Sequence, residues 1–205
     1  MKAHVLNWRT LLAALACVAG LSGCQNLPPA PEHKYYRLLA LPASPAQQAV
    51  HLPGELAVRP LRAEGLYSER AIIFSDEQQR QLQQYHYHHW LYPPGQLVQE
   101  HLAAWLRQAG IAPSVRLQEH GGEALYAISG RIVRFEKTTV AGQAKASVAL
   151  DLRLEKKGKL LWQQTYTAGK AVSDATMNGF SAAMEVALNQ IYGEFLADLG
   201  RLRLD

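Results

Sequence analysis

The stretch ASVALDLRLEKKGK, residues 146–159, decides the fold of this 205-residue chain. Its apolar residues alternate with polar or small ones: Val148, Leu150, Leu152 and Leu154. Alternation with a period of two places these four side chains on one face of a β-strand, and the residues between them on the other. The turn that follows, residues 156–159 (KKGK), has the glycine and the charges of an exposed hairpin. The pattern predicts a strand with one buried and one wet face, paired with an antiparallel neighbour.

Strand patterns continue on both sides of this stretch. Residues 125–137, 144–155 and 160–168 predict an antiparallel meander, and residues 35–41, 55–60, 70–74 and 84–90 predict four earlier strands.

Two segments have helical spacing instead. Residues 97–109 repeat their apolar side chains every three or four positions, between a Pro-Pro-Gly start and Gly110. Residues 175–199 predict a long helix with Ser173 and Asp174 as candidate caps. Its apolar stripe is Met177, Phe180, Met184, Leu188, Ile191, Phe195 and Leu199. We therefore expect an α+β fold, a two-layer sandwich in which a mainly antiparallel mixed sheet is covered by two helices.

Glycines inside the long helix add a local expectation. Gly179 and Gly193 each weaken a helix by about 1 kcal/mol relative to alanine. Such glycines usually mark the close approach of another backbone, which we expect here too.

The amino-terminal residues have the order of an export signal. Residues 1–9 carry Lys2 and Arg9 without an acid, and residues 11–21 (LLAALACVAGL) form an uncharged apolar run. That run is too short to span a bilayer, which needs about 20 residues, but it suits a signal-peptide core. Residues 21–24, Leu-Ser-Gly-Cys, resemble the lipobox of bacterial lipoproteins, which implies cleavage before Cys24 and acylation of that cysteine. Several acyl chains on one residue form a firm anchor.

The cysteines and the net charge exclude several classes of function. Cys17 leaves with the signal and Cys24 becomes a thioether, so the mature chain has no disulfide or thiolate chemistry. Removal of Lys2 and Arg9 lowers the net charge from +4 to +2, which does not favour nucleic acid as a partner. We expect a signal peptide over residues 1–23, a lipidated cysteine and Pro-rich tether over 24–34, and one α+β domain over 35–205.

Histidines and aromatic residues alternate in residues 85–92. A strand that carries both residue types suits a surface for a protein partner, although buried structural roles are the commoner use. The candidate partner-binding residues are Tyr85, Tyr87, His88, Trp90 and Tyr92. With His101 in the next helix, these histidines also raise a metalloprotein alternative, but no acid and no zinc-ligand spacing accompany them.

No catalytic pattern is evident. The chain has no Gly-x-Ser-x-Gly elbow, and Gly121-Gly122 lacks the lysine of a phosphate loop. We expect a protein that is not an enzyme and that needs neither cofactor nor metal.

Several motifs together resemble the ABC-type transport auxiliary lipoproteins. They are the lipobox, the Pro-rich tether, the Tyr35-Tyr36 strand, a Tyr85…Trp90…Pro93-Pro94…Leu97 block, the GRIVRFE segment (residues 130–136) and the hairpin with Trp162. The resemblance spans nearly the whole mature chain, and the order of these motifs is more specific than any one of them.

The resemblance implies a non-enzymatic partner of an ABC transporter. Members of the family are outer-membrane lipoproteins that work with the MCE-domain channel protein of the transporter in lipid transport and support envelope integrity. Gln25, where Asp favours the inner membrane in Gram-negative lipoproteins, agrees with the outer membrane. The acyl chains of Cys24 would fix the domain to outer-membrane lipid, and a ring of copies would match a symmetric channel.

Two other functions remain open from the residues. One is a carrier that binds a lipid or amphiphile between the last helix and the sheet, for which Met177, Phe180 and Met184 suit an apolar groove. The other is an assembly lipoprotein of a different envelope machine.

Overall fold

The computed structural model describes residues 30–40, 42, 51–118 and 124–202. The chain divides into two units, Met1–Glu32 and His33–Asp205, and every strand and helix below belongs to the second. The signal, the tether up to residue 29, Cys24 and Gly121-Gly122 lie outside the described residues, so the expected division at residues 23 and 34 stays a prediction. Within the described part no helix has both the length and the apolar character needed to cross a membrane.

Within the described residues the domain contains eight strands and two α-helices. The strands are β1 (Lys34–Tyr36), β2 (Glu55–Val58), β3 (Ala71–Ser75), β4 (Leu82–Trp90), β5 (Ser114–Leu117), β6 (Tyr126–Val140), β7 (Gln143–Lys156) and β8 (Lys159–Ala171). The helices are α1 (Pro94–Ala109) and α2 (Met177–Leu199), and a 3-10 turn spans Gly65–Ser68. The sheet is mixed but mostly antiparallel, so the expected α+β class is confirmed.

The predicted meander forms the long part of the sheet. β6, β7 and β8 pair antiparallel, and the four apolar residues of β7 named above are fully buried. Lys157 and Gly158 both have positive φ, at 48° and 75°, as the predicted tight hairpin requires. The opposite face of β7 is less wet than its polar sequence indicates. Ser147 and Asp151 on that face are buried, because β7 is central and longer polar side chains flank it.

The far edge of β6 is shared by two groups of strands. β2 runs parallel to the first residues of β6 and also pairs with β5, while β3 pairs with β6 near Lys137. β4 and then β1 extend the β3 branch, with β1 parallel to β4. The sheet therefore branches at β6, so that the short edge strand β1 ends one branch and β5 ends the other.

The other edge of the sheet is β8. Within the described residues its thirteen residues pair only with β7. Lys159 and Lys170 lie near its ends, and residues 161–169 (LWQQTYTAG) carry no charge and no proline. β8 is thus a long, open and uncharged edge.

Both helices lie on the face of the sheet that carries the core. Of the predicted α2 stripe, only Met177 is partly exposed, and the other six residues are buried. The cap of α2 is Thr176 rather than Ser173 or Asp174: the Thr176 hydroxyl accepts from the Gly179 N–H at 3.0 Å. Asp174 supports this cap, because its carboxylate accepts from the Thr176 N–H.

Close approach at Gly179 involves a side chain rather than the expected backbone. A Cβ at Gly179 would lie 2.2 Å from Asp174 Oδ1, so the carboxylate occupies the space that a side chain would need. The capping loop and this glycine therefore depend on each other.

A strap of residues 37–40 replaces the second half of the predicted first strand. Its backbone is held by side chains of the helices: Ser181 Oγ donates to the Arg37 carbonyl at 3.0 Å, and the Leu39 N–H donates to Glu185 Oε1 at 2.8 Å. His101 Nε2 lies 3.1 Å from the Leu39 carbonyl. These bonds satisfy polar groups that would otherwise pair with a neighbouring strand.

His101 is a buried residue of α1 and not a member of a surface cluster. Burial lowers the pKa of its imidazole to about 4, so the ring is neutral at pH 7. In that state Nε2–H donates to the strap, and Nδ1 can accept from the Tyr192 hydroxyl, 3.2 Å away.

Candidate partner-binding surface

The predicted partner-binding residues lie on β4 and on the bend that follows it. β4 pairs in parallel with β1, with Lys34 opposite His88, Tyr35 opposite His89 and Tyr36 opposite Trp90. Successive side chains of a strand point to opposite faces. The candidates therefore divide between the face that packs on the helices and the face that points away from them.

Trp90 lies in the core. Only 1% of it is exposed, and its ring packs against Phe135 of β6 and Phe180 of α2 at centroid distances of 5.3 and 5.9 Å. Because the helix layer covers its whole surface, Trp90 cannot present its ring to another protein. The structure thus assigns it a folding role.

His88 and Tyr85 are half-buried on the side of the helices, because the register of β4 against β3 shifts between Gln84 and His89 and interrupts the alternation there. The Tyr36 hydroxyl lies 2.8 Å from His88 Nδ1, and the rings of Tyr85 and His88 meet edge to face. Burial, together with the positive charges of Lys34, His89 and Lys137, lowers the pKa of His88. The lowered pKa favours the neutral imidazole, whose Nδ1 can accept a hydrogen bond from the Tyr36 hydroxyl. Both candidates are partly shielded residues at the rim of the sheet.

The opposite face carries an exposed group of rings that we call the outer patch: His33, Tyr35, Tyr87 and His89. Tyr87 is 41% exposed and Tyr35 is 56% exposed. His33 stacks on His89 with centroids 5.0 Å apart, and their Nδ1 and Nε2 atoms are 2.9 Å apart. His33 also contacts the Tyr87 ring at 5.5 Å. The two strands thus build one continuous aromatic surface.

Cationic and apolar groups extend the outer patch. The Arg70 guanidinium lies over the Tyr35 ring, 5.2 Å from its centroid. Tyr92, on the bend before α1, is 39% exposed, and its neighbour Leu91 is 36% exposed. Tyrosine, histidine and arginine together offer apolar contact area with hydrogen-bonding tips, a composition enriched in protein interfaces.

The described part of the chain brings no three histidine, cysteine or acidic side chains together as metal ligands. The stacked pair His33 and His89 contacts the rings of Tyr87 and Tyr35. The arrangement suits contact with another molecule rather than bond chemistry.

Only Tyr87 of the outer patch was predicted from the sequence as a partner-binding residue. Tyr35 belongs to β1 and His33 directly precedes it, and parallel pairing of β1 with β4 leaves no local mark in the sequence, since the paired residues are more than 50 positions apart. One usable signal was present. His33 and Tyr35, around the start of the first predicted strand, alternate in the same way as Tyr87 and His89 in the fourth.

The fold is shared with solved structures of low sequence identity. Protein XCC0632 from Xanthomonas campestris superimposes with a TM-score of 0.69 at 19% identity, covering 81% of this chain and 94% of that one. An uncharacterized protein matches with a TM-score of 0.56 at 13% identity, covering 83% and 98% of the two chains. The hypothetical protein CT253 from Chlamydia trachomatis gives a TM-score of 0.48 at 11% identity, covering 73% and 96%. The first two structures share the two-layer α+β fold of this domain, and this fold is its class.

The family follows from the sequence match. The chain belongs to the ABC-type transport auxiliary lipoprotein component family, whose model matches residues 36–194. The resemblance predicted from the sequence motifs is thereby confirmed, and a transport auxiliary lipoprotein is not a class of enzyme. Among curated proteins, none matches the chain.

Proposed function

We propose that this protein is an outer-membrane lipoprotein that docks the MCE-domain channel protein of an ABC transporter in intermembrane lipid transport, and so supports envelope integrity. The family match over residues 36–194 carries the proposal, because it joins an auxiliary role in ABC-type transport to a lipoprotein. The Leu-Ser-Gly-Cys box at residues 21–24 agrees with it.

The anchor in this proposal is Cys24. Eight residues, 25–32, separate it from His33, the first residue of the second unit. An extended chain of that length reaches about 25 Å at about 3.1 Å per residue. The acyl chains would hold the domain close to the periplasmic face of the outer membrane, where the end of a channel arrives.

The docking surface in this proposal is the outer patch with Tyr92. Its rings are exposed, and the shielded candidates Tyr85 and His88 support them from the other face of β4. A symmetric channel would bind several copies, so the proposal includes a homo-oligomeric ring.

Capture of the channel protein tests the docking surface. We expect wild-type protein to bind the purified MCE-domain protein of its own organism, and Tyr87→Ala with Tyr92→Ala to weaken binding by about tenfold or more, as loss of interface tyrosines does. The matched control is Leu160→Ala, which removes another exposed large side chain, at the β8 hairpin.

Two outcomes distinguish a wrong docking surface from a wrong function. Equal binding by the folded double variant would refute the docking surface. If wild-type protein did not bind the channel protein at all, the docking function itself would be refuted.

A further inference from the structure

A cleft of about 400 Å³ opens on the sheet face that points away from the helices. Strands β6, β7 and β8 and the segment after β2 contribute its walls. Its polar lining includes Arg62, Ser129, Arg131, Asp151, Arg153 and Gln163. The cleft is distinct from the outer patch, because it lies over the meander and not over the β1–β4 branch.

Two arginines of the cleft have no carboxylate partner within the described residues. Arg131 faces Asp151 across the strands in register, an arrangement in which opposite charges normally pair. Asp151 is bonded to Gln163 instead, whose Nε2 donates to both of its carboxylate oxygens at 3.1 Å. Arg131 and Arg153 therefore keep their guanidinium donors available.

Three other arginines each lie near a carboxylate. Arg59 lies 2.9 Å from Glu155, Arg62 lies 2.9 Å from Glu64, and Arg134 lies 3.8 Å from Glu136. Of the three arginines of the cleft, Arg62 is therefore paired with Glu64, whereas Arg131 and Arg153 have no such partner within the described residues.

The floor of the cleft is backbone. A Cβ at Gly130 would lie 2.3 Å from the Asp151 carbonyl oxygen, so only glycine allows β6 and β7 to approach there. Ser129, next to this glycine, adds a hydroxyl to the lining.

The charges of the cleft favour a monoanion with several oxygen atoms. Its three arginines outweigh Asp151 and Glu64 by one positive charge. Guanidinium groups match the oxygen geometry of phosphate and bind it through paired N–H donors. A phosphodiester carries one negative charge and would neutralise the cleft.

We propose that the cleft binds a phosphate group through Arg131 and Arg153, with Arg62 at its rim. The group is a phosphodiester, as in a glycerophospholipid headgroup, or free phosphate. The site needs neither Cys24 nor the channel protein, so it stands apart from the docking function.

Titration of the purified lipidated protein in a neutral detergent tests the site. The probes are glycerophosphoglycerol, a soluble phosphodiester headgroup, and inorganic phosphate. We expect saturable, salt-sensitive binding that Arg131→Gln with Arg153→Gln weakens by about tenfold or more. The matched control is Arg80→Gln with Lys157→Gln, which removes the same charge from two exposed positions outside the cleft.

A third variant should strengthen phosphate binding instead of weakening it. Asp151→Asn removes one of the two negative charges of the cleft, so it should tighten phosphate binding. In the wild-type protein, stronger binding of glycerophosphoglycerol than of inorganic phosphate would assign the site to a headgroup, and the reverse order would assign it to free phosphate.

Three results of this titration would overturn the proposal. They are absence of binding for both probes, equal weakening by the control pair, and unchanged binding by a folded Arg131→Gln, Arg153→Gln variant. Preference for an acidic peptide such as polyglutamate over both phosphates would also overturn it.

Discussion

At the scale of single residues, position on β4 separates two aromatic side chains with similar sequence surroundings. Trp90 is enclosed by rings from β6 and α2, whereas Tyr87 faces away from the helices. These two positions, three residues apart, point to opposite faces of the strand, and hydropathy alone does not show which face meets the helices.

This difference in burial predicts that substitutions of the two residues change the free energy of unfolding by different amounts. Trp90→Ala should lower the free energy of unfolding by about 3–5 kcal/mol, because it leaves a large cavity beside Phe135 and Phe180. Tyr87→Ala should change it by less than about 0.5 kcal/mol, as exposed substitutions usually do. Urea unfolding followed by circular dichroism measures both. Similar losses in the two variants would contradict the assignment of Trp90 to the core.

At the scale of elements, the strap of residues 37–40 depends on the protonation of one helix residue. The pKa of His101 is about 4 in the folded protein, against about 6.5 for an unperturbed histidine. The unfolded chain therefore binds a proton that the folded protein excludes. Stability from His101 is complete above pH 6.5 and falls as the pH drops towards 4.

The expected loss from His101 over that interval is about 3 kcal/mol. Burial raises the pKa of Glu185, which holds the same strap, so Glu185 contributes the opposite slope, with stability lost as the pH rises. The His101 effect is therefore measured as the difference between wild type and His101→Gln in urea unfolding at several pH values. Parallel curves for the two proteins would show that His101 does not sense pH.

The elements also show how far the sequence could predict this fold. Regular alternation on β7 and helical spacing on α2 identify these two elements correctly, because each buries one continuous apolar face against the other layer of the fold. β5 was not predicted, because Ser114–Leu117 has only two apolar residues and gains its place by pairing with β2. The strap was predicted as strand, because its apolar residues do not reveal that helix side chains replace a neighbouring strand. Of the outer patch only Tyr87 was predicted, since Tyr35 and His33 come beside His89 and Tyr87 through the parallel pairing of β1 with β4.

At the scale of the whole molecule, the proposed anchor at Cys24 would determine where the domain acts. The proposed partner surface and the proposed anchor belong to different parts of the chain, so one can be removed without the other. A folded domain that is released from the membrane should keep its binding surfaces and lose its location.

Cys24→Ser tests this separation. The variant should remain an uncleaved precursor without acyl chains and should be lost from the outer-membrane fraction, while its folded domain still binds the channel protein in solution. Membrane fractionation with immunoblotting and intact mass measure these outcomes. Normal outer-membrane fractionation of the variant would refute the anchor.

The open edge of β8 has a consequence for the behaviour of many copies together. A long uncharged edge strand offers its unpaired N–H and C=O groups to any other strand that meets it, and neither proline nor an inward charge interrupts residues 161–169. Copies confined to one membrane surface would meet more often than copies free in three dimensions. Crowding therefore favours strand-to-strand association through β8, and a lysine in the middle of that edge is the smallest change that would oppose it.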